Sequence, residues 1–229
     1  MFPITRWSLV RAAAGQGESG RQALEGLLAA YWRPVYAFVR RRGLAPEAAE
    51  DVVQALFLKM LEHDALGRAD PARGRFRTWL LTAVQRDLIT LHEKETALKR
   101  GGGAVVVPLE ALDAERDLPA LPEDPGRAFD RQWALGLMQS AARRLGREFE
   151  DGRRQGSAQA VLRFFSLDEA PTYAEAASDC GMSVAQFKAA LHRARARFRE
   201  ILREEVADTV DGPDEVEGEL RALFDALRS

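Results

Sequence analysis

Apolar positions recur every three or four residues along most of this chain, the period of α-helices that bury one face. A first short run, RWSLVRAAA, follows Thr5, a residue suited to capping a helix, and stops at Gly15 and Gly17. A longer helix is predicted next, with Leu24, Leu27, Leu28, Tyr31, Trp32, Val35, Phe38 and Val39 on one face and Gly43 at its end. Pro46 suits the first turn of a third helix. Glu47, Glu50 and Asp51 lie where the helix dipole favours acids. Its apolar stripe reads Val52, Leu56, Phe57, Met60, Leu61. After a loop at GRADPARG, FRTWLLTAVQRDLITLHEKETALKR reads as one long helix, basic at both ends and stopped by Gly101–Gly103.

The periodicity then fails. Residues 105–127 hold Pro108, Pro119, Pro122 and Pro125, and six acids against two arginines. Proline at that density forbids a long helix, so an extended acidic linker is predicted. Helical spacing resumes over 128–146 through Phe129, Trp133, Leu137, Ala141 and Leu145, and AQAVLRFFSL reads as a short helix after a loop. TYAEAASD, a turn at Gly181, and a long helix capped by Ser183 form the layout of a helix-turn-helix. The buried stripe of that last helix is Val184, Phe187, Leu191, Ala194, Phe198, Ile201 and Leu202. The fold class is all-α: two small helical domains joined by an acidic, proline-rich linker, the second containing the helix-turn-helix. The predicted boundaries are 1–104, 105–127, 128–206 and a C-terminal extension at 207–229.

Charge sharpens this picture. The 229 residues carry a net charge of -2, but the charges are segregated. SVAQFKAALHRARARF holds Lys188, Arg193, Arg195 and Arg197, with His192 among them and no acid; the linker and the tail hold the compensating acids. In a helix-turn-helix the second helix enters the DNA major groove. Gln186, Lys188 and His192 lie opposite Phe187 and Leu191, with Arg193 near them. Cations there neutralise phosphates or contact guanine, and glutamine can pair with adenine.

Other chemistries find little support. His63, His92 and His192 are too scattered for a metal site, and no acid/base set converges. The glycines at 101–103 lack the lysine of a phosphate-binding loop. Cys180 reads as a small buried hydrophobe, and a single thiol fits a reducing cytoplasm. No apolar run reaches the roughly 18 residues of a membrane span. No enzyme activity, cofactor or metal is expected.

The stretch from TYAEAASDCGM through SVAQFKAALHRARARFREIL resembles the promoter-binding C-terminal domain of bacterial RNA polymerase sigma factors. Upstream, YWRPVYAFVRRRGLAPEAAEDVVQALFLKML with FRTWLLTAV resembles their N-terminal domain. Both motifs in this order resemble the small extracytoplasmic-function group. KRGGG, FDRQWAL and the tail resemble a subgroup with a C-terminal helical extension.

The resemblance implies a sigma factor that binds core RNA polymerase and directs promoter recognition and DNA melting. It implies docking on polymerase through Asp51 and Gln54, flanked by Phe57 and Leu58; the acid usual after the glutamine is Ala55 here. It implies capture of the melted downstream element by Arg75, Arg77, Trp79, Gln85, Arg86 and Lys94. The usual Arg-Asn pair reads Gln85-Arg86, and a usual aspartate reads Thr90. The register of Trp79 with Leu80, Ala83 and Val84 favours core packing for the indole. The upstream element falls to Ser183, Gln186, Lys188, His192, Arg193 and Arg195, with Ala190 where an arginine is usual. Promoter DNA and core polymerase are the implied partners, with an anti-sigma factor or other regulator as a further candidate. The alternative is a helix-turn-helix regulator that does not join polymerase.

The tail has its own pattern. Pro213, Asp214 and Glu215 open a helix whose apolar stripe is Val216, Leu220, Leu223, Phe224 and Leu227. So short a helix is marginal alone, so it should dock within the protein. Either it restrains promoter binding, its acids near the basic recognition helix, or it completes the C-terminal core.

Overall fold

A computed structural model describes residues 7–15, 17–62, 65–70, 74–101, 124–150, 171–210 and 212–228. Thr5, most of the predicted linker and the predicted helix AQAVLRFFSL lie outside the described residues. Within them the fold is all-α. The helices are α1 (Trp7–Ala13), α2 (Glu18–Arg41), α3 (Pro46–Glu62), α4 (Phe76–Gly101), α5 (Pro125–Glu150), α6 (Tyr173–Asp179), α7 (Val184–Ala207) and α8 (Val216–Arg228). Short 3-10 turns at Ala65–Arg68 and Pro213–Glu215 precede α4 and α8.

The chain divides into two compact units, Met1–Ala134 with Asp208–Ser229, and Leu135–Ala207. This differs from the sequence-based boundaries at the start of the second domain and in the grouping of the tail. The start of α5 belongs with the first unit because Phe129 stacks against Tyr31, ring centroids 6.3 Å apart, and is itself buried. The tail returns to the first unit as well.

In the first unit, Leu24, Leu27, Tyr31, Val35, Phe38 and Val39 of α2 are buried as the spacing predicts. Leu28 and Trp32 stay half-buried at the edge of that stripe. On α3 the buried line is Ala49, Val53, Leu56, Phe57 and Met60, so Val53 takes the place predicted for Val52. Aromatic rings form the centre: Phe76 meets Tyr31 edge-on at 5.3 Å and stacks on Trp79 at 5.4 Å. The turn before α2 comes so close that a Cβ on Gly20 would lie 2.2 Å from the Gly15 carbonyl oxygen. Only glycine fits there.

In the second unit, Leu137, Ala141 and Leu145 of α5 and Phe187, Leu191, Ala194, Phe198, Ile201 and Leu202 of α7 are buried, as predicted. Val184, placed in that stripe by spacing, is exposed in the first turn of α7. Arg197 grips both carboxylate oxygens of Glu148 on α5, at 2.7 and 2.8 Å, and also reaches Glu200 and Glu204 on its own helix. Arg144 pairs with Glu148, Glu204 and Glu205. Arg197 belongs to the basic run of the sequence, yet its charge serves to hold α7 to α5.

Candidate functional site

Three surfaces collect the residues singled out by the sequence. The first lies on α2 and α3. Leu28, Ala29 and Trp32 face Gln54, Phe57 and Leu58 across an open, mainly apolar groove of about 390 Å³. The helical period puts Gln54 and Leu58 on the same side of α3, one turn apart, and Asp51 one turn earlier. Asp51 and Gln54 are exposed, and Leu58 is 56% exposed, an unusual position for leucine. Phe57 behaves differently from the flanking contact expected of it. It is buried, with its ring 5.9 Å from that of Trp32, so it forms the floor of the groove. Lys59, on the next position outward, reaches Asp87 and ties α3 to α4.

The second surface is α4. Thr82, Arg86 and Ile89 are exposed, and Trp79 and Gln85 are half-buried. Spacings of three and four residues put Arg75, Trp79, Thr82, Arg86 and Ile89 along one face. Trp79 therefore serves both sides: it stacks on Phe76 and leaves an edge at the surface. Ile89, 59% exposed, was missed by the sequence reading, which looked for cations and indoles. The side chain of Lys94 lies outside the described residues.

Arg77, expected to contact DNA, is largely buried in the free chain and engaged with carboxylates. Only 11% of its side chain is exposed. Its Nε and Nη2 donate to the two carboxylate oxygens of Glu219 on α8, at 2.9 and 3.1 Å. It also pairs with Asp130 on α5 and lies over the Trp133 ring, 4.4 Å from the centroid. Burial would lower its pKa, but the charges of Glu219 and Asp130 outweigh burial and raise it. Arg75, one third exposed, donates from Nη1 to Glu219 at 2.7 Å.

Glu219 is thus the centre of the tail's contact, and its residue is 0% exposed. The seam of α8 is Val216, Glu219, Leu223 and Ala226, rotated from the predicted stripe. Leu220 and Leu227 are half-buried and Phe224 is 44% exposed. Apolar spacing alone could not place a carboxylate in the middle of a buried face. The expectation that the tail's acids lie near the basic helix is replaced, for Glu219, by its pairing with Arg75 and Arg77.

The third surface is α6, its turn and α7. Thr172 caps α6: its hydroxyl accepts from the Glu175 N–H, and the Glu175 carboxylate accepts from the Thr172 N–H. Hydrogen bonds from the Thr172 side chain, then its backbone, hold the Glu175 carboxyl below the usual range. Gly181, at φ +63°, turns the chain in a left-handed conformation. Its N–H donates to the Ser178 carbonyl, and the Met182 N–H to that of Ala177. Cys180 stands half-buried in this turn, its thiol pKa raised by burial and by Asp179.

Ser183 then caps α7, accepting from the Gln186 N–H, while the Gln186 side-chain oxygen accepts from the Ser183 N–H at 2.9 Å. Both side chains are therefore engaged in the cap, so Gln186 must leave the cap before it can pair with a base. Lys188, His192, Arg193 and Arg195 are exposed on α7. Lys188 lies over the ring of Tyr173, 5.1 Å from its centroid. That ring is exposed and belongs to the same patch, which the sequence reading did not include.

Residues 27–97 match the sigma-70 region 2 family. The match runs from within α2 into α4, so it contains the groove, Asp51 and Gln54, and the exposed face of α4. It supports a sigma-factor role in binding RNA polymerase and recognising promoters. The comparisons with curated proteins and with solved structures gave no match. The region 2 segment does not include α8, whose Glu219 nevertheless sits against the beginning of α4. Among the described residues no helix is long and apolar enough to cross a membrane, and no group of acids, histidines and cysteines has the arrangement of a metal site.

Proposed function

We propose that this chain is a sigma factor of the extracytoplasmic-function type, acting in the cytoplasm on core RNA polymerase and promoter DNA. The observation that carries the reading is the groove of Leu28, Ala29, Trp32, Phe57 and Leu58, bordered by exposed Asp51 and Gln54, inside the region 2 match. A coiled coil of the polymerase presenting apolar and basic side chains would bury Leu58 and Trp32 and satisfy Asp51. The exposed face of α4 then takes the unpaired strand: Arg86 supplies charge, and Trp79 and Ile89 supply surface against which bases stack. The pair α6 and α7 acts as a helix-turn-helix on the upstream element. Lys188, Arg193 and Arg195 neutralise phosphates, His192 lies among them, and Gln186 with Ser183 holds the leading end of α7 toward the groove. In the free chain Arg77 is engaged with Glu219 and Asp130.

The test is initiation in vitro with core polymerase on a pool of genomic promoter fragments. Specific run-off transcripts that require the chain bear the reading out. DNA binding without co-elution with core polymerase would instead identify a regulator that acts alone.

A further inference from the structure

Two arginines converge on one carboxylate at the start of α4. Arg77 donates from two nitrogens and Arg75 forms an ion pair through a third, and all three contacts fall on Glu219 at 2.7 to 3.1 Å. Such a fork of charged donors fits a phosphate as well as a carboxylate. We propose that Arg75 and Arg77 form an anion site for the phosphodiester backbone of single-stranded nucleic acid, occupied in the free chain by Glu219. This rests on reading α4 as the strand-capturing helix.

The two arginines have different duties. Arg77 is anchored without α8, by Asp130 and the face of Trp133. Arg75 meets the same carboxylate from the head of the line of Trp79, Thr82, Arg86 and Ile89, and one third of it already reaches solvent. A strand lying along that line meets Arg75 at one end and Arg86 further on. Cations along the same helix make a polyanion that follows the helix a better competitor than a single acidic side chain.

The cover is built to come off. α8 has 13 residues, too few to be stable alone, and its buried apolar side chains are Val216, Leu223 and Ala226. Phe224, its largest apolar side chain, points outward. The helix is therefore held in large part by Glu219, and a phosphate that takes the arginines removes that hold.

The test uses the full chain and a labelled oligodeoxythymidine strand. Glu219→Gln keeps the shape and removes the charge. Its affinity for the strand should rise at least about threefold, with a salt slope steeper by about 0.7, the increment for one more phosphate on a single strand. Adding Arg75→Gln should cancel the gain. Equal affinity for wild type and Glu219→Gln overturns the proposal. Should Glu219→Gln not fold, hydrogen exchange on the wild type decides. A saturating strand should strip protection from the amides of α8; unchanged protection, or no binding, overturns the proposal. Loss of promoter-specific initiation with these strand results intact would sink the sigma-factor reading alone. Initiation with unchanged protection would sink the anion exchange alone.

Discussion

The guanidinium of Arg77 lies over the indole of Trp133, 4.4 Å from the ring centroid, and joins the beginning of α4 to the beginning of α5. The same side chain serves Asp130 and the fully buried Glu219. Arg77→Ala removes this partner from Asp130 and leaves the buried Glu219 with Arg75 in place of two arginines. Removing one member of a buried ion pair costs about 3–5 kcal/mol. Urea unfolding of the variant should show a loss of that order. Arg77→Lys should recover only part, since an ammonium cannot reproduce the fork or the stacking. A loss below about 0.5 kcal/mol, the range of ordinary surface substitutions, would refute this role.

The groove separates two kinds of residue. Leu58→Ala, combined with Asp51→Ala and Gln54→Ala, should leave stability within about 0.5 kcal/mol per site and abolish co-elution with core polymerase. Phe57→Ala should act through the fold, destabilising by about 3–5 kcal/mol, because it empties the floor under Trp32. Gel filtration with core polymerase, paired with thermal melts, reads both outcomes. Co-elution by the folded triple variant would rule the groove out as the docking surface.

On the basic face of α7, Lys188→Ala with Arg193→Ala should weaken duplex binding uniformly across sequences. The slope of log K against log salt should flatten by about 0.9 for each phosphate that is no longer neutralised. Gln186→Ala should differ in kind, shifting sequence preference and also costing about 0.5–1 kcal/mol through removal of the cap. Fluorescence anisotropy across a salt series distinguishes them. An unchanged slope in the double variant would assign DNA binding to another surface.

The link between α5 and α7 should be acid-sensitive. A hydrogen bond from Arg197 holds the Glu148 carboxyl below its ordinary value against the opposing effect of burial, aided by the charges of Arg197 and Arg144. A lowered folded-state value means that Glu148 contributes stability above the ordinary carboxylate range near pH 4.5. That contribution fades as pH falls through the folded value. Glu148→Gln should lower stability at neutral pH and reduce the drop on acidification. Because both partners are partly exposed, high salt should shrink the effect. Parallel pH profiles for wild type and variant would show that the link contributes nothing.

Periodicity made most of the fold legible. Phe129, Trp133, Leu137, Ala141 and Leu145 are buried as their spacing requires, and Ser183 and Thr172 cap the helices that follow them. What stayed hidden depends on partners distant in sequence. The stripe of α8 was read from apolar side chains, so Glu219 was invisible until Arg75 and Arg77 supplied its counter-charges. The same blindness applies to Arg77: sequence records a cation but not the carboxylates around it. On α3, periodicity already put Phe57 and not Leu58 in the apolar stripe, but that Phe57 forms a floor beside Trp32 depends on the packing of α2.

The first unit is assembled from two stretches of chain separated by the whole of the second, and the Arg77–Glu219 bond spans 142 residues. A ribosome therefore makes the partners of that bond far apart in time. Closing so long a loop costs entropy before any native interaction offsets it, so the closure comes late in folding. Through synthesis of residues 135–207 the emerging first unit has no Glu219. Asp130 and Trp133 are already in place for Arg77 in that interval, whereas Arg75 still lacks Glu219. The arrival of α8 brings one carboxylate to two arginines made long before it.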